Sequence, residues 1–183
     1  MTDPTANEDE KQGQGKGAGS DSNAPVAKNK SPATGKSTRP KRTPAVKLNQ
    51  RRRARKLILQ ALYQWQMAKA SVNVIEAEFR AYNEGRMDWD FFHEVFTAIP
   101  ARVNELDAHC SPFLDRHIDS LDPIELAILR MGIFEFTDRM DVPYKVVISE
   151  LVELAKIFGA TDSYKYINGV LDKAARVLRP LEI

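Results

Sequence analysis

Apolar residues recur at Ala54, Leu57, Ile58, Ala61, Leu62 and Trp65, the i, i+3, i+4, i+7, i+8, i+11 spacing of a helix with one buried stripe. Stepped at about 100° per residue, the stripe centres on Ala54, Ile58, Ala61 and Trp65, with Leu57 and Leu62 at its edges. Arg52, Lys56 and Tyr63 then fall near the opposite pole, with Tyr63 one turn from Leu59, and Arg51 and Arg55 lie on a flank. A second helix is predicted from about Val74 to Asn83, ending before Gly85. A third, from Asp88 to about His109, carries Trp89, Phe92, Val95, Phe96, Ile99, Val103 and Leu106, and Pro100 should kink or divide it.

The C-terminal half is punctuated more clearly. "SPFLDRHIDS" reads as a short helix or turn, and "LDPIELAILRMGIFEF" opens with a start signal. Asp122 is the expected N-cap, Pro123 takes the first helical position, and Glu125 closes a capping-box-like arrangement. Apolar residues lie on more than one side of this helix, so it should be central and heavily buried. "DVPYKVVISELVELAKIFG" repeats the pattern, with Pro143 near its start and Gly159 as its stop. A last helix, from about Asp162 to Leu178, buries Ile167, Val170, Leu171, Ala174 and Leu178 before Pro180. No strand alternation stands out, and the expectation is an all-α bundle of roughly six or seven helices.

The first 46 residues are a different material. They hold five of the ten prolines and five of the nine glycines, and their only large apolar residues are Met1, Val26 and Val46. Such a segment cannot offset its conformational entropy by burial, so residues 1–46 are expected to be a disordered tail before a helical domain at 47–183. Its last third fits a loose nucleic-acid arm and a solubilising tail equally well.

Net charge is only +2, but its distribution is uneven. Between Asp21 and Glu76 stand 13 basic residues and no acidic one, whereas from Glu76 onward 12 basic residues face 20 acidic ones, a net of −8. A basic block joined to an acidic body is an electrostatic footprint for a polyanion. The one cysteine, Cys110, excludes an internal disulfide and fits a reducing compartment. No apolar run reaches membrane-span length and no signal peptide opens the chain, so a cytoplasmic protein is expected.

Five of the six residues from Arg51 to Lys56 are basic. Positive charge at a helix N-terminus opposes the macrodipole, so these cations cost stability unless a ligand gains from them. Arginine supplies the planar fork suited to phosphate, which favours nucleic-acid contact over a merely solvated face. A second basic–aromatic cluster opens the last helix, where Thr161 or Asp162 can cap and Ser163, Tyr164, Lys165 and Tyr166 fill the first turns. Free helix amides beside a lysine can hold a phosphate, and tyrosines can stack on unpaired bases. Partly buried tyrosines behind a simple cap explain the same residues equally well.

Three segments carry a family resemblance: "RRRARKLILQALYQWQ", "LDPIELAILRMGIFEF" and "DVPYKVVISELVELAKIFGATDSYKYINGVLDKAARVLRP". From Gln50 to Pro180, in order, the chain resembles the NusB family of bacterial transcription antitermination factors. "VPYKV", "ELAKIFG" and "NGVLDK" are together highly specific to it. The resemblance implies two three-helix bundles that bind boxA single-stranded RNA as a heterodimer with NusE, a small-subunit ribosomal protein. That assembly helps RNA polymerase pass terminators, notably in ribosomal RNA operons. It also implies RNA contacts at Arg51, Arg52, Arg53 and Arg55 and at Asp162, Lys165 and Tyr166, and a protein-partner surface at Tyr63 and Glu125. A homodimer formed through the RNA-binding faces stays open, and the tail has no counterpart in the family pattern.

The rival classes are weaker. His93, His109, His117 and Cys110 do not form a usual zinc spacing, and nothing singles out a Cys–His nucleophile pair. "GQGKGAG" lies in the tail without the strand and helix a phosphate loop needs. Glu150 and Glu153 look like an exposed helix face. No catalytic constellation emerges, so no enzyme, metal or cofactor is expected. Some RNA methyltransferases carry a NusB-like domain, but with the sequence ending at Ile183 their cofactor domain is not expected here. The remaining alternative is a helical protein-interaction adaptor without specific RNA binding.

Overall fold

The computed structural model describes residues 44–183, so the tail expectation for residues 1–43 lies outside the described residues. Seven α-helices occur among the described residues: α1 Pro44–Ala68, α2 Val72–Tyr82, α3 Trp89–Ala101, α4 Val103–Cys110, α5 Pro123–Asp138, α6 Tyr144–Phe158 and α7 Ser163–Leu178. Short 3-10 turns stand at Ser111–Phe113, Ile118–Ser120 and Pro180–Glu182. α1, α2 and α3 pack as one three-helix group and α5, α6 and α7 as another, while α4 lies against α5 and α1 joins the groups through α5. The fold is all-α, as the apolar periodicity implies.

α1 begins at Pro44, ahead of the expected domain start, with proline at the first helical position where its missing N–H costs nothing. Its stripe is buried as expected at Ala54, Leu57, Ile58, Ala61 and Leu62, but Leu59 is also enclosed and Trp65 is only half-buried. The helix is therefore covered on more of its circumference than a single stripe allows. The long third helix is divided after Pro100: α3 stops at Ala101, and Arg102 leaves helical geometry before α4 begins. Proline lacks the N–H that would continue the ladder.

α5 is the central helix. Every residue from 127 to 136 is buried, including Arg130 and Glu135. Gly132 lets α6 and α7 close on it, because a Cβ there would lie 2.5 Å from Leu171 Cδ2 and 3.1 Å from Leu151 Cδ1. Arg130 reaches across to α4 and α1, donating to both Asp107 oxygens (2.8 and 2.7 Å) and to Gln66 Oε1 (2.8 Å).

The chain end is a structural element rather than a trailing stop. Buried Arg179 donates to the carbonyls of Phe136 (2.6 Å), Glu135 (2.8 Å), Arg139 (2.8 Å) and Val142 (3.3 Å). Its charge suits the carbonyl end of α5. Glu182 pairs with Arg179 and accepts from the Tyr144 N–H at 2.9 Å, supplying α6 with the cap that Pro143 lacks.

Candidate nucleic-acid interface

The four arginines lie about two to three turns into α1 rather than at its N-terminus, because the helix begins at Pro44. This corrects the expected opposition to the macrodipole. They point to four different places. Arg51 reaches Asp88 (3.5 Å) and Asp141 (3.3 Å) and stacks over the Phe91 ring. Arg52 takes the opposite side, donating Nε and Nη2 to Glu150 on α6 at 2.6–3.1 Å. Arg53 turns to the α2–α3 connection and donates to the Glu84 carbonyl at 2.9 Å, its guanidinium lying against Gly85, whose φ of 110° only glycine adopts readily. Arg55 is enclosed, 1% exposed, and grips Glu135 of α5.

Two expectations are corrected here. Arg55 does not lie on an open flank: its face of α1 is closed by α5, which supplies a buried carboxylate, so its charge is not presented to a ligand. Glu150 is not on an exposed face either, being 7% exposed with Arg52 as its partner. Those bonds hold the Arg52 guanidinium pKa above its ordinary value. The Arg52 side chain nonetheless keeps 61% of its surface exposed, so one edge still faces outward.

The outer pole of α1 runs on to the α6–α7 corner. Lys56 Nζ sits 5.6 Å above the Phe158 ring at the end of α6, and Lys156 Nζ lies 5.7 Å from the Tyr164 ring at the start of α7. Lys165 also lies 5.7 Å from Tyr164 and pairs with Asp162 at 2.8 Å. Arg52, Lys56, Lys156 and Lys165 thus belong to one face, with Phe158 and Tyr164 between them. Lys156 and Phe158 were not singled out by sequence pattern, since on α6 alone they read as an ordinary helix end.

The corner itself is tight. Gly159 has a negative φ, so no left-handed stop is used. It is needed for space, because a Cβ would lie 2.6 Å from the Ala155 carbonyl and 2.9 Å from Ser163 Cβ. Asp162 occupies the N-cap position in left-handed geometry (φ 68°) but makes no capping bond, which corrects its expected role. Its carboxylate holds Lys165 instead.

Tyr166 leaves this face. Its ring lies 4.8 Å under Arg116 from the turn after α4, and Arg116 pairs with Asp115 at 2.8 Å. Burial, with the Asp115 carboxylate nearby, pushes the Tyr166 phenol up to about 12. The Arg116 guanidinium in turn holds the Asp115 carboxyl below its ordinary value.

Tyr63 is 40% exposed on the outer side of α1, as its position predicts. Glu125 is half-buried and accepts from the Ser163 hydroxyl at 2.6 Å. The expected capping box is therefore corrected: Asp122 caps α5 through the Ile124 N–H (2.8 Å), while Glu125 ties α5 to the start of α7. Among the described residues, no three His, Cys, Asp or Glu side chains gather as a metal site. Cys110 is enclosed, and burial pushes its thiol up to about 12.

A model of the NusB family matches residues 52–176 of the chain. A protein of Hahella chejuensis described as transcription antitermination protein NusB is 53% identical over 137 residues, spanning 74% of this chain and 92% of the relative. One of Pseudomonas fluorescens with the same description is 54% identical over 134 residues, spanning 73% and 81%. Among solved structures, T. maritima NusB superposes with a TM-score of 0.61 at 25% identity, over 68% of this chain and 89% of that one. A chain from a complex of antitermination factors NusB and NusE with double-stranded RNA gives 0.64 at 21% identity, over 71% and 98%, a likeness of fold.

Proposed function

The chain belongs to the NusB family of transcription antitermination factors, and on that premise we propose that it binds boxA-type single-stranded RNA together with NusE, a small-subunit ribosomal protein, within the RNA polymerase complex that transcribes ribosomal RNA. The observation that carries this reading is the Lys56–Phe158 contact, which joins the basic pole of α1 to the α6–α7 corner as one surface. Arg52, Lys56, Lys156 and Lys165 neutralise phosphates there, with Arg51 and Arg53 at the rim. Each phosphate neutralised releases counterions, so binding weakens steeply with salt. Sequence choice comes from unpaired base edges and stacking, with Tyr164 and the Arg116–Tyr166 stack as platforms and Asp162 as an acceptor for base amino groups. Tyr63 and Glu125 belong to the NusE surface, and the Glu125–Ser163 bond couples that surface to the RNA corner.

A protein-only adaptor draws on one observation: Arg51 and Arg52 already have carboxylate partners at Asp88, Asp141 and Glu150. Fluorescence anisotropy separates the two readings. Labelled boxA-like RNA is titrated beside a scrambled strand and a duplex, with and without NusE, at low and high salt. Preference for the boxA strand that strengthens with NusE and falls in Arg51→Ala/Arg52→Ala supports antitermination. Loss of NusE binding in Tyr63→Ala, with RNA binding by the free protein unchanged, assigns Tyr63 to the partner. No RNA binding under any condition leaves the adaptor.

A further inference from the structure

Three of the four described glycines have an internal reason to be glycine. Gly85 has a φ of 110°, and a Cβ at Gly132 or Gly159 would collide with neighbouring groups. Gly169 has neither reason. It lies inside α7 without a positive φ, and a Cβ built on it meets nothing within 4 Å. Glycine inside an exposed helix is less stable than alanine, because the unfolded chain has more freedom to lose. The fold therefore carries a cost at this position and gains no packing in return.

Cations gather around Gly169. Lys165 and Lys173 stand four residues to either side of Gly169, one helical turn each way, so each ammonium stem starts about 6 Å from it along the axis. Lys173 makes no ion pair among the described residues, and Lys165 pairs with exposed Asp162 and lies against the Tyr164 ring. Between α7 and the turn after α4 lies a cleft of about 200 Å³, with Phe113 and Asp115 on one wall and Lys165, Tyr166, Gly169 and Lys173 on the other. Arg116, over the Tyr166 ring, adds a third cation whose partner Asp115 is exposed.

We propose that Gly169 is a point of close approach for the sugar–phosphate backbone of bound RNA, with Lys165 and Lys173 clasping the phosphate from either side. The proposal rests on the RNA-binding reading above and extends it past the corner to the middle of α7. A Cβ at this position would hold the strand off the helix and lengthen both lysine contacts. The flanks favour a polyanion over a protein helix, because lysine presents a hydrated point charge suited to phosphate rather than an apolar ridge.

The test uses the full chain with Gly169→Ala, Gly169→Leu and Lys173→Gln. Because the space is open, Gly169→Ala should raise the melting temperature by about 2–4 °C. The same change should weaken single-stranded RNA binding, by about threefold for alanine and about tenfold for leucine, the scale of one charge-assisted hydrogen bond. Lys173→Gln should weaken binding and lower the salt slope by about 1. The losses should be equal for boxA-like and scrambled strands, since a backbone contact carries no sequence information.

Wild-type RNA binding that persists unchanged in Gly169→Leu overturns the proposal and leaves the antitermination reading standing. Weakened NusE binding with RNA binding intact overturns it in favour of a protein contact. Absence of RNA binding by the wild-type chain overturns both.

Discussion

Arg55 Nε and Nη2 lie 2.8 and 2.6 Å from the two carboxylate oxygens of Glu135, and neither side chain is more than 1% exposed. This buried fork pins α1 to the central helix. Removing one partner strands the other charge in the interior, so Glu135→Gln should cost about 3–5 kcal/mol, whereas Arg55→Met/Glu135→Leu should be close to neutral. Urea unfolding of the two variants checks this. RNA affinity, measured where each is fully folded, should match wild type, because this arginine is not presented at the surface.

Arg52 and Glu150 should behave differently. Their pair is open to solvent on the arginine side, so it contributes little stability and competes with phosphate for the same fork. Arg52→Ala should weaken RNA binding by about tenfold and reduce the salt slope by about 1. Glu150→Gln should tighten binding, because it frees the guanidinium. Anisotropy titrations across salt concentrations give both numbers, and tighter binding in Arg52→Ala would sink the assignment.

Acid stability should depend on Asp141. The Arg139 hydrogen bonds, with burial opposing and Arg51 assisting, bring its carboxyl down to about 2 from an ordinary 3.8. A depressed folded-state value means that stability is fully present above the unfolded value and is lost as pH falls through the folded one. The Asp141 contribution should therefore fade between about pH 4 and pH 2. Asp141→Asn should lower the melting temperature near neutrality and flatten its decline over that window, as a pH series of thermal melts on both proteins would read.

Arg179 donates to four main-chain carbonyls, two of which, those of Glu135 and Arg139, also accept from the N–H groups of Arg139 and Val142. Arg179→Ala should cost about 3 kcal/mol, since the buried Phe136 and Val142 carbonyls lose the guanidinium while those of Glu135 and Arg139 keep a backbone donor. Arg179→Lys should recover only a fraction, because one ammonium cannot reproduce the planar fork. Thermal unfolding ranks the three. Equal melting temperatures would show that water replaces the guanidinium without loss.

Much of the architecture was legible along the chain. The 3.6-residue period marked each helix, Pro100 marked the division of α3 from α4, and Asp122 and Pro123 marked the start of α5. These are local effects: a missing N–H or a capping carboxylate acts within a turn of its own position. Tyr63 was also placed correctly on the outer side of α1, because its angular position relative to the stripe needs no distant information.

Tertiary structure decided which charges are available. Arg52 and Arg55 are three residues apart on one helix, yet one keeps an outward edge and the other is enclosed. Their partners Glu150 and Glu135 stand 98 and 80 residues away, on helices whose approach no local period encodes. The joining of Lys56 to Phe158 and the turning of Tyr166 toward Arg116 have the same origin. A helical repeat tells which residues share a face, but whether that face meets water, a carboxylate or an aromatic ring depends on what distant segment packs against it.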